Sequence, residues 1–176
     1  MVDESVTAWP RPYFKATEQT TQLFFVCFAT APLRDLPLSL SLFGLPSAQL
    51  LERVDVREHQ RASGREWFEN WWAESFGVIA QQDLGAQLPL LTTSQSCVSL
   101  ALELPDQADL APQQTIWGLT RWLCARGAGV VVDVHALRFR TRTEVEALGF
   151  DGADVQRDVK VVFETSPTQG PLHLMH

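Results

Sequence analysis

The segment "CVSLALELPDQADLAPQQTIWGLTRWLCARGAGVVVDV" narrows the possible folds of this chain more than any other. It opens with strict alternation: Val98, Leu100, Leu102 and Leu104 fall on one side and Cys97, Ser99, Ala101 and Glu103 on the other, the period of a strand. Ile116, Leu119, Leu123 and Cys124 then repeat at three and four as far as Gly127, with Pro112 where a first helical turn accepts it. That pattern predicts a helix of about 15 residues. "GVVVDV" follows as a second strand. Strand, helix and strand together read as one βαβ unit over residues 96–135, with a right-handed crossover between parallel strands expected.

The remaining patterns place further elements around this unit. "LFFVCFAT" is an apolar, aromatic and β-branched run, as in a central strand covered on both faces. In "DLPLSLSLFG", Leu36, Leu38, Leu40 and Leu42 alternate with polar residues, which predicts a half-buried strand closed into a hairpin by "APLRD"; Pro37 puts it at an edge. Ser47 can cap a helix carrying Leu50, Leu51 and Val54, yet "RVDVRE" alternates like a strand, so residues 47–62 fit either. Ser63 and Glu66 have capping-box spacing and predict a helix over residues 64–81 with one broad face of Phe68, Trp71, Trp72, Ser75, Phe76 and Ile79. Thr141 with Glu144, and Thr143 with Glu146, offer the same device for a short helix ending at Gly149, and "VQRDVKVVFET" reads as a last strand.

At the ends, residues 1–21 read as a partly ordered arm held by Trp9, Tyr13 and Phe14, and residues 166–176, broken by Pro and Gly, as an irregular tail. The order of elements predicts a single α+β domain, residues 1–176, with helices packed on a mixed β-sheet of four to six strands.

Composition bounds the function. A chain of 176 residues, 45% hydrophobic and 20% charged, has the makeup of an ordinary globular domain that needs neither metal nor disulfide for stability. Cys27, Cys97 and Cys124 lie far apart inside apolar runs with no CxxC or Cys/His spacing, which predicts buried free thiols in a reducing compartment. The start of the chain does not read as a secretory signal, and no apolar run approaches the roughly 20 residues of a membrane helix, so a cytoplasmic protein without a membrane partner is expected. A net charge of -7 argues against nucleic acid as a partner, because that class needs Lys and Arg to neutralise phosphates. No G-x-S-x-G, Walker, G-x-G-x-x-G or H-E-x-x-H motif occurs, so no cofactor is implied. His173 and His176 would suit a metal only in a helical tail, and no metal site is predicted.

Three groups of residues could carry function. Asp133 and His135 have strand spacing at the end of the βαβ unit, where ligands tend to sit, and a carboxylate beside an imidazole is a general-base pair; a strand turning polar as it meets solvent gives the same spacing. Arg138, Arg140 and Arg142 would form a row for an anion if the chain stays extended, whereas Glu144, Glu146, Asp151 and Asp154 would make the region a solvated surface of mixed sign. Trp67, Trp71 and Trp72 crowd one helix too closely to share a single seam, so they suit either a partner-binding rim or a broad core face. The leading expectation is a non-enzymatic domain that binds another protein, with the composition of small acidic antitoxin or immunity proteins as an analogy. The alternative is an enzyme or ligand-binding domain using Asp133, His135 and the arginines on an anionic small molecule. Pairing of the residues 36–42 strand with its own copy would give a homodimer.

Overall fold

A computed structural model describes residues 6–11, 14–15 and 18–148, together with the backbone course of 161–166 and 170–175. The described residues contain the strands β1 Thr20–Ala29, β2 Asp55–Gln60, β3 Ser96–Pro105, β4 Val130–Asp133, β5 Arg138–Thr141, β6 Val161–Ser166 and β7 Gly170–Met175. The helices are α1 Leu40–Phe43, α2 Ala48–Leu51, α3 Arg65–Glu69, α4 Glu74–Leu84, α5 Leu88–Thr92, α6 Ala111–Arg126 and α7 Arg142–Ala147.

One five-stranded sheet runs in the order β2-β3-β1-β4-β5, and every neighbouring pair is antiparallel. The chain is thus the α+β domain its pattern predicts, with helices packed on a sheet of the expected size. Because β3 and β4 both oppose β1, they run parallel to each other with β1 between them. The βαβ unit is therefore present in split form, its two parallel strands separated by β1, and the five-stranded sheet is antiparallel throughout where a mixed one was expected.

The side-chain period of β1 and β3 builds two cores. Phe25, Cys27, Val98, Leu100, Leu102 and Leu104 point to one face, where Ile116, Leu119, Leu123 and Cys124 of α6 cover them. Val26, Phe28, Val130, Val132 and Phe139 point to the other, against Phe68, Trp71, Ala80, Leu84 and Leu91 of the α3 to α5 region. Burying each large side chain of this kind is worth about 1.5–3 kcal/mol, so both layers hold the sheet between them. α6 closes at Gly127, whose φ of 126° lies in the region glycine tolerates. α7 begins with the expected capping box, Thr141 accepting from the Glu144 N–H while the Glu144 carboxylate accepts from the Thr141 N–H.

Several expectations are corrected. Residues 36–42 form no strand: Leu36, Leu38 and Leu40 do face inward, but the segment lies along α6 and ends in α1. Its backbone is held there by Trp122 Nε1 donating to Leu36 O at 2.9 Å and by a pair of bonds between Arg34 and Arg126, so the edge proposed for homodimer pairing does not exist at that place. Residues 47–62 contain both alternatives, α2 capped by Ser47 and then β2. The single helix over 64–81 is broken at Ala73, which is extended at ψ 157°, and Ser63 donates to Gln60 O instead of forming the capping box. A Cβ at Gly77 would collide with the Trp72 carbonyl, so this glycine lets α4 fold back tightly against the break. In the tail, expected to be irregular, Gly170–Met175 pairs antiparallel with β6. Residues 149–160, including Gly149, Asp151, Asp154 and the first part of the last predicted strand, lie outside the described residues, as do Tyr13 and His176.

The N-terminal arm is tied to the start of α6. The buried Gln114 amide accepts from Trp9 N–H at 3.0 Å and donates to Thr7 O and Gly44 O, while Arg11 pairs with Asp106.

Candidate functional site

β4 ends at Asp133, and residues 134–137 turn the chain back into β5. The Asp133 carboxylate accepts from the Ala136 N–H at 3.1 Å, which makes it the residue that closes this turn. Burial pushes its pKa above the usual aspartate value, against the opposing pull of the turn N–H groups and of Arg140. His135 sits in the turn itself, exposed, so the strand spacing expected to align the two does not apply. A cavity of about 470 Å³ opens nearby, lined by Phe24, Arg53, Asp55, Glu103 and His135. Asp133 and the three arginines do not line it.

The arginine row is divided. Arg138 is half-buried on β5, and Arg140 is 7% exposed with its guanidinium 5.7 Å above the Trp117 ring. Arg142 has entered α7, where it pairs with Glu146 at 2.6 Å. The tryptophans are engaged as well. Trp71 is buried among Phe28, Trp67 and Phe76; Trp67 stacks on the His59 ring at 4.6 Å; Trp72 lies beneath the Arg61 guanidinium. They face inward as a core layer and make no exposed aromatic patch. The three cysteines are buried and unpaired, as expected, and burial pushes the Cys97 and Cys124 thiols up to about 12, which leaves them protonated and inert.

The feature that the sequence pattern left open between helix and strand is the edge strand β2, "DVREHQ". Among the described residues it pairs with β3 on one side only, and nearly all of it is exposed, Val56 at 54%. The Arg61 N–H donates to Gln95 O at 2.8 Å, one step beyond the strand in the same register. Bonded pairs alternate along an antiparallel ladder, so Asp55, Arg57 and His59 turn their backbone groups to β3, and Val56, Glu58 and Gln60 turn theirs outward. The side chains of those three outward residues form one wall of a groove of about 420 Å³, floored by Val98 and walled opposite by Trp122, Leu123 and Arg126 of α6. On the other face, Arg57 pairs with Asp55 at 2.6 Å, and His59 bonds Ser99 Oγ at 3.0 Å beneath Trp67.

The opposite edge is closed. The outward N–H of Phe139 in β5 donates to the Asp83 carboxylate of α4 at 2.9 Å, and α4 packs along that strand. Among the described residues no helix is long and apolar enough to cross a membrane, and no three His, Cys, Asp or Glu side chains are grouped to hold a metal. Compared with protein-family models, with curated proteins and with solved structures, the chain matches none.

Proposed function

We propose that this chain is a cytoplasmic, non-enzymatic protein-interaction domain that engages its partner along β2. The observation that carries the reading is the unequal treatment of the sheet's two edges. A protein that only had to fold would be expected to blunt both, because a bare edge invites pairing with other chains. Here β5 is capped by a carboxylate and a helix, whereas β2 is left bare beside a groove. The acidic balance of the chain suits a basic partner, and three buried unpaired thiols suit a reducing compartment.

Affinity capture from cells that make the protein tests the proposal, with wild type and Val56→Pro compared after each is shown to be folded. Proline at an outward N–H leaves the β2 to β3 ladder intact and removes a donor that a partner strand needs. A stoichiometric protein held by wild type and lost by the variant is the expected result. Capture of nothing stoichiometric by wild type overturns the reading.

A further inference from the structure

We propose that the open edge of β2 receives an extended segment of another protein, in which a basic residue lies opposite Glu58 and an apolar residue, two places away, lies opposite the exposed Val56. The inference rests on the protein-binding reading of this edge and adds the chemistry of what binds there. Val56, Glu58 and Gln60 present N–H and C=O groups outward at every second residue, a spacing matched only by another extended backbone. An added strand places its alternate side chains on the same face as those they oppose. The side chains opposite Val56 and Glu58 therefore lie on the α6 side of the sheet, directly against the two residues that form the outer wall of the groove.

The charge of the segment follows from the groove. Glu58 is oriented by a hydrogen bond from Gln60 and has no ion pair among the described residues. Across the groove, Arg126 is already placed, its guanidinium 4.6 Å above the Trp122 ring and its Nε donating to Arg34 O. Neither has an ion pair among the described residues, but Glu58 stands on β2 itself, directly beside an added strand, and a Lys or Arg opposite it complements it.

A second copy of this chain is the wrong occupant. In a two-fold antiparallel pairing within a continuous sheet, one residue must lie opposite itself. With the full length of β2 engaged, that residue is Arg57 or Glu58, and like charges directly opposite are destabilising. Registers that avoid both leave only part of the strand paired.

The test is a random peptide library displayed against the immobilised full chain, followed by hydrogen exchange of the wild-type protein with an enriched peptide bound. The expected peptides share a basic residue two places from an apolar one and protect the amides of Val56, Glu58 and Gln60. Their binding weakens roughly tenfold in Glu58→Lys, and an acidic residue in place of the peptide's basic one restores it. Val56→Pro, confirmed as folded, also weakens binding. Peptides that bind without these charge effects, or that protect other amides, overturn the inference and leave the protein-binding reading standing. An empty selection overturns it as well, while the capture experiment still decides whether a protein is bound. A dimer in light scattering with the same amides protected would instead identify a second copy as the occupant.

Discussion

The two edges of the sheet solve one physical problem in opposite ways. At β5 the strand is short, its central Phe139 is buried, and its outward N–H is satisfied by Asp83. At β2 the strand is longer, polar and open, defended against its own copy only by the charges of Arg57 and Glu58. If a partner strand adds at β2, as proposed, exposure there is selective: like charges oppose self-pairing while the backbone groups a different strand would use stay open.

The largest way to break this contrast is to open the closed edge. Phe139→Ala should cost about 3–5 kcal/mol in denaturant unfolding, because the ring is fully enclosed between β4 and the α4 layer. A loss under about 1 kcal/mol would mean that β5 is not anchored by it. Next in size is a proline scan of β2. Arg57→Pro removes a ladder bond to β3 and should lose roughly 2 kcal/mol, whereas Val56→Pro should stay within about 0.5 kcal/mol of wild type. Equal losses at the two positions would reverse the assignment of inward and outward groups. Asp83→Ala should cost about 1–2 kcal/mol and speed exchange of the Phe139 amide, while Asp83→Asn, which keeps an acceptor, should cost less.

The smallest effect concerns the turn beside the closed edge. Burial raises the Asp133 pKa, so the folded state holds that proton more tightly than the unfolded state does. The resulting stability is fully present below the ordinary aspartate value and is lost as pH rises through the raised one. Asp133→Asn keeps Oδ1 as an acceptor for Ala136 and removes the titration. Its stability relative to wild type should therefore climb from about pH 4 upward. Parallel pH profiles would show that Asp133 is solvated.

The strands at the centre were legible because burial there is dictated by composition: "LFFVCFA" and "VVVD" have few places to go but between two layers, and the Leu period of β3 names the face that meets α6. The alternation of Leu36, Leu38 and Leu40 is equally real but less informative. Any extended chain laid on an apolar surface turns every second side chain inward, and here the surface is α6, not a sheet. The aromatic face around Trp71 continues across the break at Ala73 because α3 and α4 both rest on the same side of the sheet, so periodicity alone could not locate the interruption. β2 was hardest to read, since an edge open to solvent on both faces has little hydrophobic pattern to betray it; the alternation in "RVDVRE" was its one signal. Asp133 and His135 were misaligned by a turn that Asp133 itself closes.

The position of β1 has a consequence for how the chain is made. Both of its neighbours come much later in sequence, β3 beginning at Ser96 and β4 at Val130, and none of its pairings is local. Such distant contacts slow folding, because a long loop must close before any bond rewards it. During synthesis, an uncharged run from Leu23 to Ala29 leaves the ribosome with two bare edges, one without its partner until β3 has emerged and the other until β4 has. The strand that ends at the centre of the sheet is therefore the one that aggregation or a chaperone reaches first.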